Sequence, residues 1–142
     1  MGVAAQHRGN FAIARNACAE LSERAQHQEL ARMAQISEDC ELFARQAMEY
    51  LVEPRGLREG AVVRARQRRG WTRREQAVID AHNAWVNAGS CSTRALAAAS
   101  VRRAQAVYAL LVFALGSWIV PQHIAVPRAA IGTHSIRKRC GD

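Results

Sequence analysis

The sequence predicts an all-α, elongated chain: one long amphipathic helix, a short second helix, a third helix carrying a single transmembrane span, and an irregular C-terminal tail. Three observations carry that prediction. Residues 10–53 contain neither glycine nor proline and are dense in Ala, Leu, Glu, Gln, Met and Arg, which lose little freedom on entering a helix. Helix breakers gather between the apolar segments, at Pro54, Gly56, Gly60 and Gly70, at Gly89, and again from Pro121 onward. Residues 104–127 contain no Asp, Glu, Lys or Arg.

The first element is read as a single helix through residue 53. Its apolar residues recur every three or four positions, first at Phe11, Ala14, Cys18, Leu21 and Ala25, then at Met33, Ile36, Cys40, Phe43, Ala47 and Leu51. The phase slips by one residue between Ala25 and Met33. The polar run at the slip, Gln26-His27-Gln28-Glu29, holds no turn residue, so an unbroken helix is expected. Residues 10–53 would then measure about 66 Å at the helical rise. Pro54 followed by Gly56 ends it.

Residues 54–71 read as an Arg-rich connector, with room for one or two helical turns in Val62–Arg69. The second helix spans 72–88. Thr72 and Glu75 have capping-box spacing, the candidate buried positions are Ala77, Ile79, Ala81, Ala84 and Trp85, and Ala88-Gly89 is a natural stop. Ser92 or Thr93 caps a third helix over 92–120, closed by Pro121. Residues 121–142 read as an extended basic tail. At 142 residues the chain holds one domain's worth of core. Its amphipathic stripe is hard to bury alone, so a place in a larger assembly is expected.

The net charge of +8 is unevenly placed. Residues 1–53 hold five arginines against eight acids, whereas 54–74 hold eight arginines against Glu59 alone. Residues 102–142 add six basic residues against Asp142. All the basic residues but Lys138 are arginine, a bias that a GC-rich coding sequence produces without selection for any ligand. Within 104–120, 14 of 17 residues are apolar, with Arg102 and Arg103 before the stretch and Arg128 after it. Seventeen helical residues cover about 26 Å, a little under the hydrocarbon thickness of a bilayer. The same pattern fits a central helix buried in protein.

The chemistry-bearing residues are sparse. Cys18, Cys40, Cys91 and Cys140 form no CxxC or other short paired spacing, so zinc, iron–sulfur and haem sites have no support. Cys18 and Cys40 are about 33 Å apart along one helix and cannot bridge each other, although a bridge from either to Cys91 is open. No Glu-x-x-His pair stands ready for a di-metal bundle, and no phosphate loop or nucleophile elbow is present. The first 19 residues lack acids and carry Arg8 and Arg15, which fits organelle targeting. No secretory signal is read there, and Gln6 stands where a myristoylation signal wants Ser or Thr.

These readings lead to an expectation of no enzyme activity and no cofactor. The expected role is a structural accessory subunit of a large membrane complex, in the mitochondrial inner membrane and of respiratory-chain or other energy-transducing type. Its partner- or lipid-binding residues would be Arg55, Arg58, Arg64, Arg66, Arg68, Arg69, Arg73, Arg74, Arg102 and Arg103. The alternative is an RNA-binding structural protein of an organellar ribosome, with the same arginines on phosphate and Trp71 stacked on a base.

Overall fold

The computed structural model describes residues 2–53, 59–116 and 124–131. It is all helical among them. α1 runs Gly2–Val52, α2 Glu59–Gln67, α3 Trp71–Ala88 and α4 Thr93–Leu115, and residues 128–131 add one further turn. The opening of the connector and most of the predicted tail lie outside the described residues.

α1 is one unbroken helix of 51 residues, about 76 Å long at the helical rise. The slip in its apolar period does not break it. It marks where the helix leaves the rest of the fold. Cys40, Phe43, Ala47 and Leu51, four positions of the second stripe, are buried. Met33 is half-buried and Ile36 more exposed. Every described side chain from Asn10 to Gln28 is exposed, including Ala14, Cys18, Leu21 and Ala25 of the first stripe.

α4 is the hub. α1 and α3 pack along it, and α2 touches its far end. Leu111, Val107 and Ala104 are fully buried at its centre. Two contacts fix the direction of α1. Glu29 receives Arg94, 65 residues away, in a two-pronged ion pair at 3.2 and 3.1 Å. Fourteen residues further along each helix, the Phe43 ring lies 6.5 Å from that of Tyr108. The offset is constant, so α1 and α4 run parallel. α3 runs the other way, because Trp85 meets Arg103 while Arg74 meets Phe113. Gln105 donates to the carbonyl of Ala129 at 3.2 Å and ties the last described segment alongside α4.

Several boundaries differ from the sequence prediction. The connector forms a true helix, α2, whose Val62 and Ala65 are fully buried. α3 starts at Trp71, ahead of the expected Thr72 cap. Its N-cap is Gly70 at φ 103°, with no side-chain cap. At this φ any residue with a Cβ is strained, so glycine is the residue that suits the corner, and an added Cβ would also displace the end of the Arg74 side chain, 2.7 Å away. Thr72 lies inside the helix, and Glu75 accepts from the indole N–H of Trp71 at 3.0 Å instead of reaching back to a cap.

The buried seam of α3 is Trp71, Val78 and, half-buried, Trp85, with Ile79, Ala77 and Ala84 turned outward. α4 begins at the expected cap, where the Ser92 hydroxyl accepts from the Ala95 amide at 3.1 Å. It ends earlier than Pro121. Gly116 at φ 97° stops it, its amide bonding the Val112 carbonyl. A backbone turned to positive φ cannot continue a right-handed helix. Residues 117–120 of the predicted third helix lie outside the described residues.

Candidate functional site

The arginine island was the strongest functional lead in the sequence, and the fold divides it. Arg66 donates to the Leu51 carbonyl at the end of α1, and Arg68 to the Phe113 carbonyl at the end of α4. Neither helix has a basic residue in its own last turn. Parallel helices set their partially negative C-terminal ends side by side, where cations are favourable. Arg66 at the end of α2 and Arg68 just after it supply them. Arg68 and Arg74 both lie 4.4 Å from the centre of the Phe113 ring, a cation–π arrangement, and Arg74 also donates to the Gly70 carbonyl at 3.2 Å. Arg66, Arg68 and Arg74 therefore serve the fold.

Arg64, Arg69 and Arg73 do not. They stand exposed on α2, on the turn and on the first turn of α3, and none has an acidic partner among the described residues. Glu75, two residues from Arg73, is engaged by Trp71, and the side chain of Glu59 lies outside the described residues. Arg55 and Arg58 lie outside the described residues. Arg102 is exposed on α4. Arg103 is buried, with its guanidinium 4.2 Å above the Trp85 ring and Nη1 without a hydrogen-bond partner. Sequence reasoning named all ten as partner- or lipid-binding. The split was not legible, because the inward arginines act on carbonyls and a ring up to 45 residues away.

A second feature is the projecting half of α1. Ile13 is 69% exposed and Leu21 63% exposed, on a helix face with nothing described against it. A single projecting helix buries no apolar surface and holds its shape weakly in water.

A cleft of about 1060 Å³ runs along the last turns of α1. Arg45, Arg103, Glu49 and Glu53 mix both charge signs there with apolar Met48 and Ile124, and they form no nucleophile–base pair. Among the described residues no three His, Cys, Asp or Glu gather as metal ligands. Cys18, Cys40 and Cys91 are free thiols. Burial, and secondarily the Asp39 carboxylate, push the Cys40 thiol above its ordinary range, the opposite of what a nucleophile needs. α4, with mean hydropathy 1.3 over its most apolar window, is long and apolar enough to cross a membrane, and nearly half of that window is buried in the fold. The chain matches no protein-family model, no curated protein and no solved structure.

Proposed function

We propose that this chain is a non-catalytic structural subunit of a larger, membrane-associated assembly, and that the projecting half of α1 joins it to its neighbours. One observation carries the reading: α1 packs into its own bundle from Met33 onward and exposes every described side chain from Asn10 to Gln28. A helix nucleated by the bundle extends outward easily, but only a surface laid along it adds stability. The length and apolarity of α4 motivate the membrane part. In its concrete form, the protein is an accessory subunit of an organellar energy-transducing complex of respiratory-chain type. The alternative, a structural protein on ribosomal RNA, draws on the exposed Arg64, Arg69 and Arg73.

The test is native-gel migration of the tagged full chain against a variant lacking residues 2–28. The full chain is expected in a high-mass species recovered with membranes, and the truncated bundle is expected to keep its helicity and run free. A truncated variant that stays in the assembly, or a full chain that runs as a monomer, overturns the reading. Recovery in a nuclease-sensitive soluble particle would favour the ribosomal alternative.

A further inference from the structure

We infer that the corner between α2 and α3 is a docking surface for the phosphate headgroups of an anionic membrane leaflet, and that Arg64, Arg69 and Arg73 make the contact. This deepens the membrane part of the reading above and is independent of what the arm of α1 binds.

The argument starts from the division of the arginines. Arg66, Arg68 and Arg74 hold carbonyls and the Phe113 ring, which leaves Arg64, Arg69 and Arg73 exposed and free of internal obligations. The three fall within ten residues at one end of the bundle. Among the described side chains the acid nearest them in sequence is Glu75, which accepts from Trp71 and keeps its charge, so the arginines outnumber it three to one at this corner. The N-terminal end of α3 adds its partial positive charge at the same place, with no side chain capping it. Three unpaired guanidinium groups on such a corner draw phosphate.

Two observations favour lipid over nucleic acid. Single-stranded RNA is held by aromatic platforms beside its basic contacts, and among the described residues of this corner no such platform is open. Trp71 is 7% exposed, and Phe113 lies against Arg68 and Arg74. The corner also stands where α4, the most apolar helix, ends. The sequence after Gly116 continues Ser117-Trp118-Ile119-Val120 without a charge. An apolar helix that ends among exposed arginines has the composition of a membrane–water boundary.

The experiment measures partitioning of the isolated full chain onto vesicles of phosphatidylcholine mixed with phosphatidylglycerol and onto pure phosphatidylcholine vesicles, across a salt series. Strong, salt-sensitive binding to the anionic vesicles alone is expected. A triple variant, Arg64→Gln, Arg69→Gln and Arg73→Gln, should bind roughly a hundredfold more weakly, since each arginine near such a surface contributes about fivefold. It should keep wild-type circular dichroism, because none of the three bonds within the fold. A matched variant of the arm, Arg15→Gln, Arg24→Gln and Arg32→Gln, should bind like the wild type. Wild-type affinity in the first triple variant, or an equal loss in the arm variant, overturns the assignment. So does competition in which structured RNA strips the protein from anionic vesicles, which would give the surface to nucleic acid. Failure on vesicles leaves the gel behaviour of the arm deletion unchanged, so the two proposals fail separately.

Discussion

The two halves of α1 share one helix and one kind of apolar periodicity, yet they live in different surroundings. The second half presses Cys40, Phe43, Ala47 and Leu51 against α4. The first half presents Ile13 and Leu21 to solvent. An apolar stripe at helical spacing thus states that a surface is to be buried, and does not say by whom. Each large side chain buried from water contributes about 1.5–3 kcal/mol, so the bundle half is anchored. The arm depends on helix propagation alone, which near room temperature adds little per residue.

The comparison can be broken most directly by amide hydrogen exchange. Amides of residues 40–51 open only with the bundle and should be protected about a thousandfold or more. Those of residues 10–28 should show protection nearer tenfold, rising toward Glu29. Equal protection in both halves of the isolated protein would mean that the arm folds back onto something within the chain.

Truncation sharpens the contrast in energy. Phe43 is 1% exposed, and Phe43→Ala should cost about 3–5 kcal/mol in denaturant titration. Leu21→Ala should change stability by less than about 0.5 kcal/mol. If Leu21→Ala costs as much as Phe43→Ala, the arm has a partner in the monomer.

The smallest effect separates Cys40 from Cys18. Burial raises the folded Cys40 thiol above the ordinary value of 9.0. The neutral form is therefore the one the fold favours. Its contribution is whole below the ordinary value and is lost as pH rises through the folded value. Chemical stability of the wild type should begin to fall above about pH 9, and Cys40→Ala should lose less over that range. Cys18 is exposed on the arm, so Cys18→Ala should change stability at neutral pH by less than about 0.5 kcal/mol. A wild-type slope unchanged in Cys40→Ala would assign the alkaline loss to other groups.

Much of this architecture was legible in the residues, and what was hidden had physical reasons. The long helix and its stop could be read because no breaker interrupts residues 10–53. The slip in period proved to be the border between arm and bundle. The Ser92 cap is a local bond and was visible locally. The start of α3 was not, because it is set by the left-handed backbone of Gly70, whereas the Thr72 and Glu75 spacing pointed to a side-chain cap that does not form. The seam of α3 repeats every seven residues at Trp71, Val78 and Trp85, with Arg74, Ala81 and Ala88 half-buried between them. A charged residue in the seam masked the period: Ala81 and Trp85 were read as facing the fold and do, whereas Val78 was missed and Ile79 faces outward. The split of the arginine island depends on helix ends brought together only by folding.

The parallel pairing of α1 with α4 also sets an order of events during synthesis. Partners such as Glu29 and Arg94 are 65 residues apart, and α2 and α3 must both emerge between them. At ribosomal speed that interval lasts roughly 3–13 s. α3 and α4 follow one another through a short turn and can pair as a local hairpin first. Throughout the wait, the stripe of Cys40, Phe43 and Leu51 has no surface of its own chain to meet. The nascent protein therefore offers two unpartnered apolar stripes along one helix. Completing the chain closes the second, while the first stays open for a neighbour.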